Sequence, residues 1–134
     1  MFDELREMND EIRKKQDKLG ELRALATSMT RPYNNDRVQT SSSDRLSNLM
    51  CRIVLLENEI DGMIDDYADA KMRAKMRIHQ VEREEYQEIL YAHYIEFKSL
   101  ATIAKQRKMS IDRVKKLNGK AIKSIKALDG TTKV

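Results

Sequence analysis

Side chains that can bind phosphate are concentrated between Ser99 and Leu128. This segment holds nine Lys or Arg residues and a single carboxylate, that of Asp112. Because the whole chain of 134 residues has a net charge of only +4, the segment carries a local excess of positive charge. Such a local excess is typical of a surface that docks on a polyanion. Lysines at helical spacing also occur on ordinary solvated helices, and that simpler interpretation remains an alternative.

Residues suited to enzymatic or metal chemistry are sparse. His79 and His93 lie fourteen residues apart and share no metal-ligand spacing with Cys51, so no zinc site is expected. Nothing in the sequence supplies Cys51 with a neighbouring base that would make it a nucleophile. The sequence therefore predicts no enzyme, no catalytic residue, no metal and no cofactor.

An acidic run at residues 65–69 matches the DDxxD pattern that binds magnesium diphosphate in prenyl-transferring enzymes. A second such motif and a large apolar cavity are not indicated. Together with Glu57, Glu59 and Asp61, the run is interpreted as an acidic helix face that is solvated or contacts a basic partner.

The basic segment has the pattern of two helices that meet at a tight turn. The first helix places Leu100, Ile103 and the small Ala104 on one side, where a second helix can cross closely. The turn is predicted at residues 108–110, with Met109 as a buried plug and Ser110 as the N-cap of the next helix. That helix has apolar residues at the α-helical period, namely Val114, Leu117, Ala121, Ile125 and Leu128. The pattern predicts a helix-turn-helix.

The same stretch resembles, without a gap, the helix-turn-helix of region 4 of bacterial sigma factors, which reads the promoter −35 element. The resemblance extends upstream through Glu82-Arg83-Glu84, Ile89-Leu90 and Tyr94-Ile95-Glu96, and the chain departs from it in having Phe97-Lys98 where a glycine is common. A helical hairpin before such a module, with DRVQTSSSDR in its loop, is similar to the phage-encoded regulators of late genes in Gram-positive hosts, the ArpU and RinA-like group.

The resemblance implies that the helix at residues 111–126 enters the major groove of double-stranded DNA with its N-terminal residues at the base edges. The implied base contacts are Ile111, Asp112, Arg113 and Lys116. The implied contacts to the DNA backbone are Ser99, Lys105, Lys108, Ser110, Lys115, Lys120 and Lys123. Ile111 and Lys116 stand where sigma factors usually have Arg and Gln. The resemblance therefore implies the docking mode, but it does not imply recognition of the −35 sequence itself. Gly119, on the outward face, would let the helix backbone approach DNA closely.

Composition favours a protein of long helices. Charged residues make up 36% of the chain and aromatic residues 5%, with one Pro and four Gly. No segment approaches the roughly 18 apolar residues of a membrane span, and the N-terminus is too polar for a signal peptide. A single cysteine fits a reducing compartment, so we expect a cytoplasmic location and no membrane partner. The resemblance to phage regulators implies that this cytoplasm is that of a bacterial host cell.

Two apolar seams precede the basic segment. The first has Leu5, Ile12, Leu19 and Ala26 at one heptad position, and Met8, Lys15, Leu22 and Met29 at the other. The second alternates by three and four through Leu46, Leu49, Ile53, Leu56, Ile60, Met63, Tyr67, Ala70, Ala74, Arg77 and Val81. These seams predict a coiled-coil-like hairpin in which residues 5–29 pack antiparallel against about residues 46–70.

Residues 30–43 are predicted to be the loop of this hairpin. Pro32 disfavours helix before it, and Asn34-Asn35-Asp36 favours a turn. Ser41 with Asp44 resembles a capping box. The loop also holds Arg31, Tyr33 and Arg37, which leave a contact role open.

Residues 81–97 are predicted as the first helix of a compact unit whose core is closed by Ile103, Met109, Val114 and Leu117. Neither Gly nor Pro marks the junction with the preceding long helix. The expected domains are residues 1–78, a helical hairpin for oligomerisation or protein contact, and residues 79–134, a DNA-binding domain expected to fold alone.

The sequence thus predicts an all-α protein, with an N-terminal antiparallel helical hairpin followed by a C-terminal sigma region 4-like helix-turn-helix unit. The basic helix-turn-helix pattern predicts DNA binding, and the resemblance implies a sequence-specific, phage-encoded activator of late genes. The hairpin would mediate homo-oligomerisation or a contact with host RNA polymerase. The alternative is a phage DNA-packaging protein similar to a terminase small subunit, or a coiled-coil assembly protein. Those packaging subunits usually place the DNA-binding module first, and here it comes last.

Overall fold

The chain is helical along almost all of its described length. A computed structural model describes residues 2–30 and 40–132, without the side chains of 40–42 and 129–132. These residues form no strand and five α-helices, α1 (Phe2–Met29), α2 (Thr40–His79), α3 (Glu84–Leu90), α4 (Leu100–Arg107) and α5 (Ile111–Thr132), with a π-helical turn at Tyr91–Ile95. The predicted all-α class is confirmed. Within these residues, no helix combines the length and the apolar character needed to cross a membrane.

The two long helices bury the seams that their sequences contain. Every predicted seam residue from Leu5 to Met29 and from Leu46 to Val81 is buried or partly buried. Helices of this composition are stabilised mainly by packing an apolar face, since isolated helices are marginal in water. Lys15, the one polar seam residue of α1, is accommodated by an ion pair in which its Nζ lies 3.1 Å from a carboxylate oxygen of Glu59.

The chain divides into two compact units that do not coincide with the expected domains. One, called here the middle unit, is Met8–Asp66, and the other, the terminal unit, combines Met1–Glu7 with Tyr67–Val134. The expected boundary at residues 78 and 79 therefore falls inside the terminal unit. The physical reason is that the start of α1 and the end of α2 contribute side chains to the same core as α3 and α5.

In the middle unit, α1 and α2 contact each other through one apolar cluster. Its buried members are Leu19, Ala26, Leu49, Ile53 and Ile60. Late residues of α1 contact early residues of α2, since Leu25 and Met29 border the same cleft as Arg45 and Leu49. Nearer the middle of the helices, Arg23 of α1 pairs with Glu57 of α2.

The terminal unit has two buried clusters. The larger contains Phe2, Leu5, Ala74, Ile78, Val81, Tyr86, Leu90, Ile95, Ala121 and Ile125. The smaller consists of Ile103, Ala104 and Val114, with Met109 partly buried against it. The ring of Phe2 stacks on that of Tyr94, with centroids 4.8 Å apart. Because Phe2 and Leu5 come from the first turns of α1, residues 79–134 do not contain their whole core.

The junction after α2 lies at residues 80–83, although neither Gly nor Pro marks it. α2 ends at His79, and Arg83 has extended backbone dihedrals before α3 begins at Glu84. The side-chain amide of Gln87 donates to the backbone carbonyl of Val81 in this junction and lies 3.5 Å from that of His79, the last residue of α2. The helix predicted at residues 81–97 is therefore shorter, because its first turn is this junction and its last is π-helical.

The loop between the long helices is also shorter than predicted. α2 begins at Thr40, so Ser43 lies inside the helix and not in the loop. Arg31, Tyr33 and Arg37, for which a contact role was left open, lie outside the described residues. The predicted capping box was wrong in its position, because α2 has already begun at Thr40 and Ser41 lies inside the helix rather than at its N-cap.

Candidate nucleic-acid interface

α4 is delimited by a hydrogen-bonded cap at each end. Before it, Ser99 has an extended backbone and its Oγ accepts a hydrogen bond from the backbone N–H of Thr102, with an N–O distance of 3.1 Å. After it, Lys108 adopts the left-handed conformation, with φ 55° and ψ 45°. This turn lets the backbone N–H of Met109 donate to the carbonyl of Ala104 at 2.9 Å, which satisfies a carbonyl at the end of the helix.

α5 starts directly after this turn because Ser110 caps it. The Ser110 Oγ accepts a hydrogen bond from the backbone N–H of Arg113 at 3.2 Å, which is the predicted N-cap role. Only Lys108, Met109 and Ser110 separate the two helices. A connection this short restricts the direction in which α5 leaves α4.

Buried apolar residues hold α4 against α5. Ile103 is 1% exposed, Ala104 6% and Val114 fully buried. The small side chain at position 104 allows close approach of the two helices, as expected from the sequence. Further along α5, the Asn118 side-chain amide donates to the Tyr94 hydroxyl at 3.3 Å, a contact that the sequence pattern did not reveal. Arg107 of α4 forms an ion pair with Glu88 of α3.

The outer surface of this pair of helices presents every residue for which a DNA contact was implied. We call these eleven side chains the basic face, and all of them are exposed: Ser99, Lys105, Lys108, Ser110, Ile111, Asp112, Arg113, Lys115, Lys116, Lys120 and Lys123. Ile111 is 40% exposed although it is apolar. Seven of them lie on α5, Lys105 lies on α4, and Ser99, Lys108 and Ser110 lie in the segments that flank α4.

The charges of the basic face are not neutralised within the part of the chain that the structure describes. Among those residues, no carboxylate lies within 4.0 Å of the cationic groups of Arg113, Lys115, Lys116, Lys120 or Lys123. Asp112 is the sole acid between Ser99 and Leu128. By contrast, Arg107 and Lys98 form ion pairs with Glu88 and Glu96. A polyanion would relieve the repulsion among the unpaired cations.

Phe97 precedes α4 in a conformation that favours glycine. Its φ of 57° is left-handed, which costs a non-glycine residue roughly 1–2 kcal/mol. The ring is partly buried against the larger cluster of the terminal unit, and the Arg6 guanidinium lies 5.5 Å from its centroid. This packing offsets the backbone strain. The signal in the sequence was the departure from the sigma pattern, in which glycine is common at this position.

Other side chains considered for chemistry do not form a site in the described residues. The Nδ1 of His93 lies 2.7 Å from the backbone carbonyl oxygen of Lys98, and its ring packs edge-on against Tyr94. Cys51 is free and exposed. The carboxylates of residues 65–69 are exposed, and no group of three metal-ligating side chains occurs within residues 2–30 and 40–132.

Comparison of the chain with protein-family models, with curated proteins and with solved structures found no significant match.

Proposed function

We propose that this protein is a sequence-specific DNA-binding transcription regulator, a phage-encoded activator of late genes. Its architecture would be an antiparallel helical hairpin followed by a sigma region 4-like helix-turn-helix, with residues 111–126 reading the major groove. The observation that carries the proposal is the basic face, because a short capped turn presents unpaired cations next to the exposed first turns of a helix.

The backbone conformation of Phe97 supports the sigma-like register independently of charge. Sigma region 4 patterns commonly have glycine at the corresponding position, and Phe97 has the positive φ that glycine adopts most easily. Residue types alone, without any backbone conformation, align the chain with that pattern. Agreement at a residue whose backbone is unusual favours this register over one shifted by a residue or two.

The roles of the individual residues follow from the geometry of a helix in the major groove. Arg113 or Lys116 would donate to O6 and N7 of guanine, Asp112 would accept from N4 of cytosine, and Ile111 would contact a thymine methyl group. Lysines on α4 and along α5 would bind phosphates and fix the position of the helix without reading sequence. The exposed Ile111 is explained in this way, since its apolar surface would be covered by the base.

The helices α1 and α2 would bind protein rather than DNA. Residues 44–70 contain seven carboxylates and two Arg, a balance that DNA would repel. Self-association would present two reading helices to paired half-sites separated by about one or two helical turns of DNA. A contact with host RNA polymerase is the other role that fits a regulator.

The salt dependence of DNA binding by the full-length chain tests the proposal. If about five phosphates are neutralised, the slope of log K against log salt is about −4 to −5. Replacing Lys115, Lys120 and Lys123 together by Gln removes three of these contacts, so the slope becomes shallower by about 2.7. Fluorescence anisotropy of a labelled duplex over a series of salt concentrations measures both values.

A matched control removes the same charge elsewhere. Arg13, Lys14 and Lys18 are exposed on α1, and their joint replacement by Gln is expected to leave the slope unchanged. No binding at low salt, or equal slopes for all three proteins, would contradict DNA binding through the basic face.

Footprinting on the source genome separates transcription from packaging. Protection upstream of late-gene promoters is the expected result for the regulator. Protection at a packaging start would instead support the terminase-like alternative, and would leave the basic face as the DNA-binding surface.

A further inference from the structure

The first two turns of α1 contact the segment that leads into α4. The ring of Phe2 stacks on that of Tyr94, with 4.8 Å between the centroids and 24° between the ring planes. The Arg6 guanidinium lies 5.5 Å from the centroid of the Phe97 ring. These four residues border one cleft of the terminal unit. The start of α1 thus contacts the chain at two residues that are three positions apart.

The backbone of this segment departs twice from α-helical geometry. Its π-helical turn at Tyr91–Ile95 is closed by a hydrogen bond from the backbone N–H of Glu96 to the carbonyl of Tyr91. The chain then turns at Phe97, whose φ of 57° is strained for a residue with a side chain. π-helical turns are rare, and strained dihedrals persist where the surrounding structure enforces them. Contacts from elsewhere in the fold are therefore required here.

Two hydrogen bonds close the backbone around Phe97 without involving its ring. His93 donates from Nδ1 to the carbonyl of Lys98 at 2.7 Å, and the backbone N–H of Lys98 donates to the carbonyl of Ala92 at 2.9 Å. Both bonds could form equally well around a glycine. The Phe97 ring is what a glycine would lack, and Arg6 contacts this ring. The side chain that makes the conformation unfavourable is therefore held in place by α1.

The contact at Tyr94 continues into α5. The Tyr94 hydroxyl accepts a hydrogen bond from the side-chain amide of Asn118 at 3.3 Å. Tyr94 thus joins α1 to α5, through its ring on one side and its hydroxyl on the other. Leu117, the neighbour of Asn118, packs against the same buried cluster as Phe2 and Tyr94. A displacement of the Tyr94 ring would therefore change the position of α5.

We propose that Phe2 and Arg6 are positioning residues for the helix-turn-helix. Phe2 fixes the Tyr94 ring, which orients α5, and Arg6 holds Phe97 in the left-handed conformation that sets the start of α4. Neither residue belongs to the basic face, so each acts on DNA binding through these contacts. The inference rests on the proposed DNA binding for its effect on function, whereas the contacts themselves are tested on the protein alone.

Amide hydrogen exchange of the full-length chain, followed by NMR, tests the contact of Arg6. Because Arg6 is exposed, Arg6→Ala removes little buried surface. It is expected to speed exchange of the Lys98 amide about two- to fivefold, the range that corresponds to loss of a cation–π contact at an exposed site. The Met109 amide, bonded at the far end of α4, should keep its rate. Arg13→Ala is the matched control, since Arg13 is exposed seven residues later on α1.

A glycine at position 97 provides the decisive comparison. Phe97→Gly removes both the ring that Arg6 contacts and the strain at positive φ. In that background Arg6→Ala is expected to leave the rate of the Lys98 amide unchanged. An equal effect with and without the Phe97 ring overturns the proposal, as does an unchanged Lys98 rate in Arg6→Ala itself. Equal acceleration at Met109 would show a general loss of stability and would overturn it too.

Variants of Phe2 extend the test to DNA binding. Fluorescence anisotropy is measured at a temperature at which circular dichroism shows each variant to be folded. Phe2→Ala is expected to weaken binding about tenfold, because a smaller fraction of the chain holds α5 in the binding-competent position. Phe2→Tyr keeps a ring that can stack and should bind as the wild type does.

Leu5→Ala is the control for general packing, since Leu5 is buried in the same cluster. It should lose stability but keep its affinity for DNA while folded. Equal loss of affinity in Leu5→Ala and Phe2→Ala would overturn the positioning role of Phe2. A wild-type chain that binds no DNA would contradict the proposed function, and the exchange measurements would still decide whether Arg6 holds the segment before α4.

Discussion

The α4–α5 pair and the middle unit both consist of packed helices, but they differ in charge and in how completely they bury their apolar residues. Residues 99–128 hold nine cationic groups and one acid, and residues 44–70 hold seven acids and two Arg. Val114 and Ala121 are fully buried, whereas Val54 and Leu55 of α2 are 49% and 68% exposed. The separation of basic from acidic residues is not apparent from the net charge of the whole chain, which is only +4.

The reason for the difference is that a helix packed in a pair buries a narrower apolar face than a helix surrounded by several others. A pair of helices covers one stripe on each partner, so any further apolar residue on the outside remains in water. In the terminal unit, segments of α1, α2, α3 and α5 surround a common core, and a helix there can bury a wider face. Exposed apolar residues of the middle unit are therefore candidates for contacts with another chain.

The largest effect that separates the two regions is expected at Leu5. This side chain is 2% exposed and belongs to the core of the terminal unit. Leu5→Ala should lower the free energy of unfolding by about 2–5 kcal/mol, through lost burial and the cavity that remains. Urea denaturation followed by circular dichroism measures the change.

Leu25→Ala on the same helix is the control, because Leu25 is 52% exposed. We expect its effect to stay within about 0.5 kcal/mol. The fragment of residues 79–134 should be less stable than the full chain, since it lacks Phe2, Leu5, Ala74 and Ile78. Full stability of that fragment would show that the contribution of α1 to the core is dispensable.

Substitutions in α5 should separate reading of bases from binding of phosphates. Arg113→Ala or Lys116→Ala is expected to cost about 1–3 kcal/mol of binding on the cognate site, and much less on random DNA. Lys123→Ala should weaken binding to both duplexes alike, because a phosphate contact carries no sequence information. Competition binding with the two duplexes measures the difference. Equal losses on both for all three variants would mean that the sigma-like register is wrong.

A smaller effect is expected at two helical glycines. A Cβ added at Gly119 or at Gly62 would meet no other side chain within 4 Å. Each Gly→Ala change should therefore stabilise its helix by about 0.5–1 kcal/mol. Only Gly119→Ala should also weaken DNA binding, because its methyl group would separate the α5 backbone from the groove. Thermal denaturation measures the change in stability, and fluorescence anisotropy measures the change in DNA affinity. An unchanged DNA affinity of Gly119→Ala would contradict the proposed close approach of the α5 backbone to DNA.

Periodic patterns in this sequence were reliable predictors. The seam residues of both long helices are buried or partly buried as expected, and Ser110 caps α5 as its position indicated. These features depend on residues within a few turns of one another, so spacing and local hydrogen bonding are enough to predict them. The end of α2 escaped prediction, because the seam continues to Val81 after the helix has ended and that residue is buried by contacts with other segments.

The sequence by itself determined the helical class, the apolar faces of the helices, and the segregation of basic from acidic residues. Only the tertiary structure decided that Phe2 and Leu5 share a core with Ala121, and that Phe97 takes a left-handed conformation. The physical reason is range. Helical periodicity is a local property, whereas a core that joins the first turn of the chain to its last helix, and packing strong enough to offset a strained φ, depend on contacts between residues far apart in sequence.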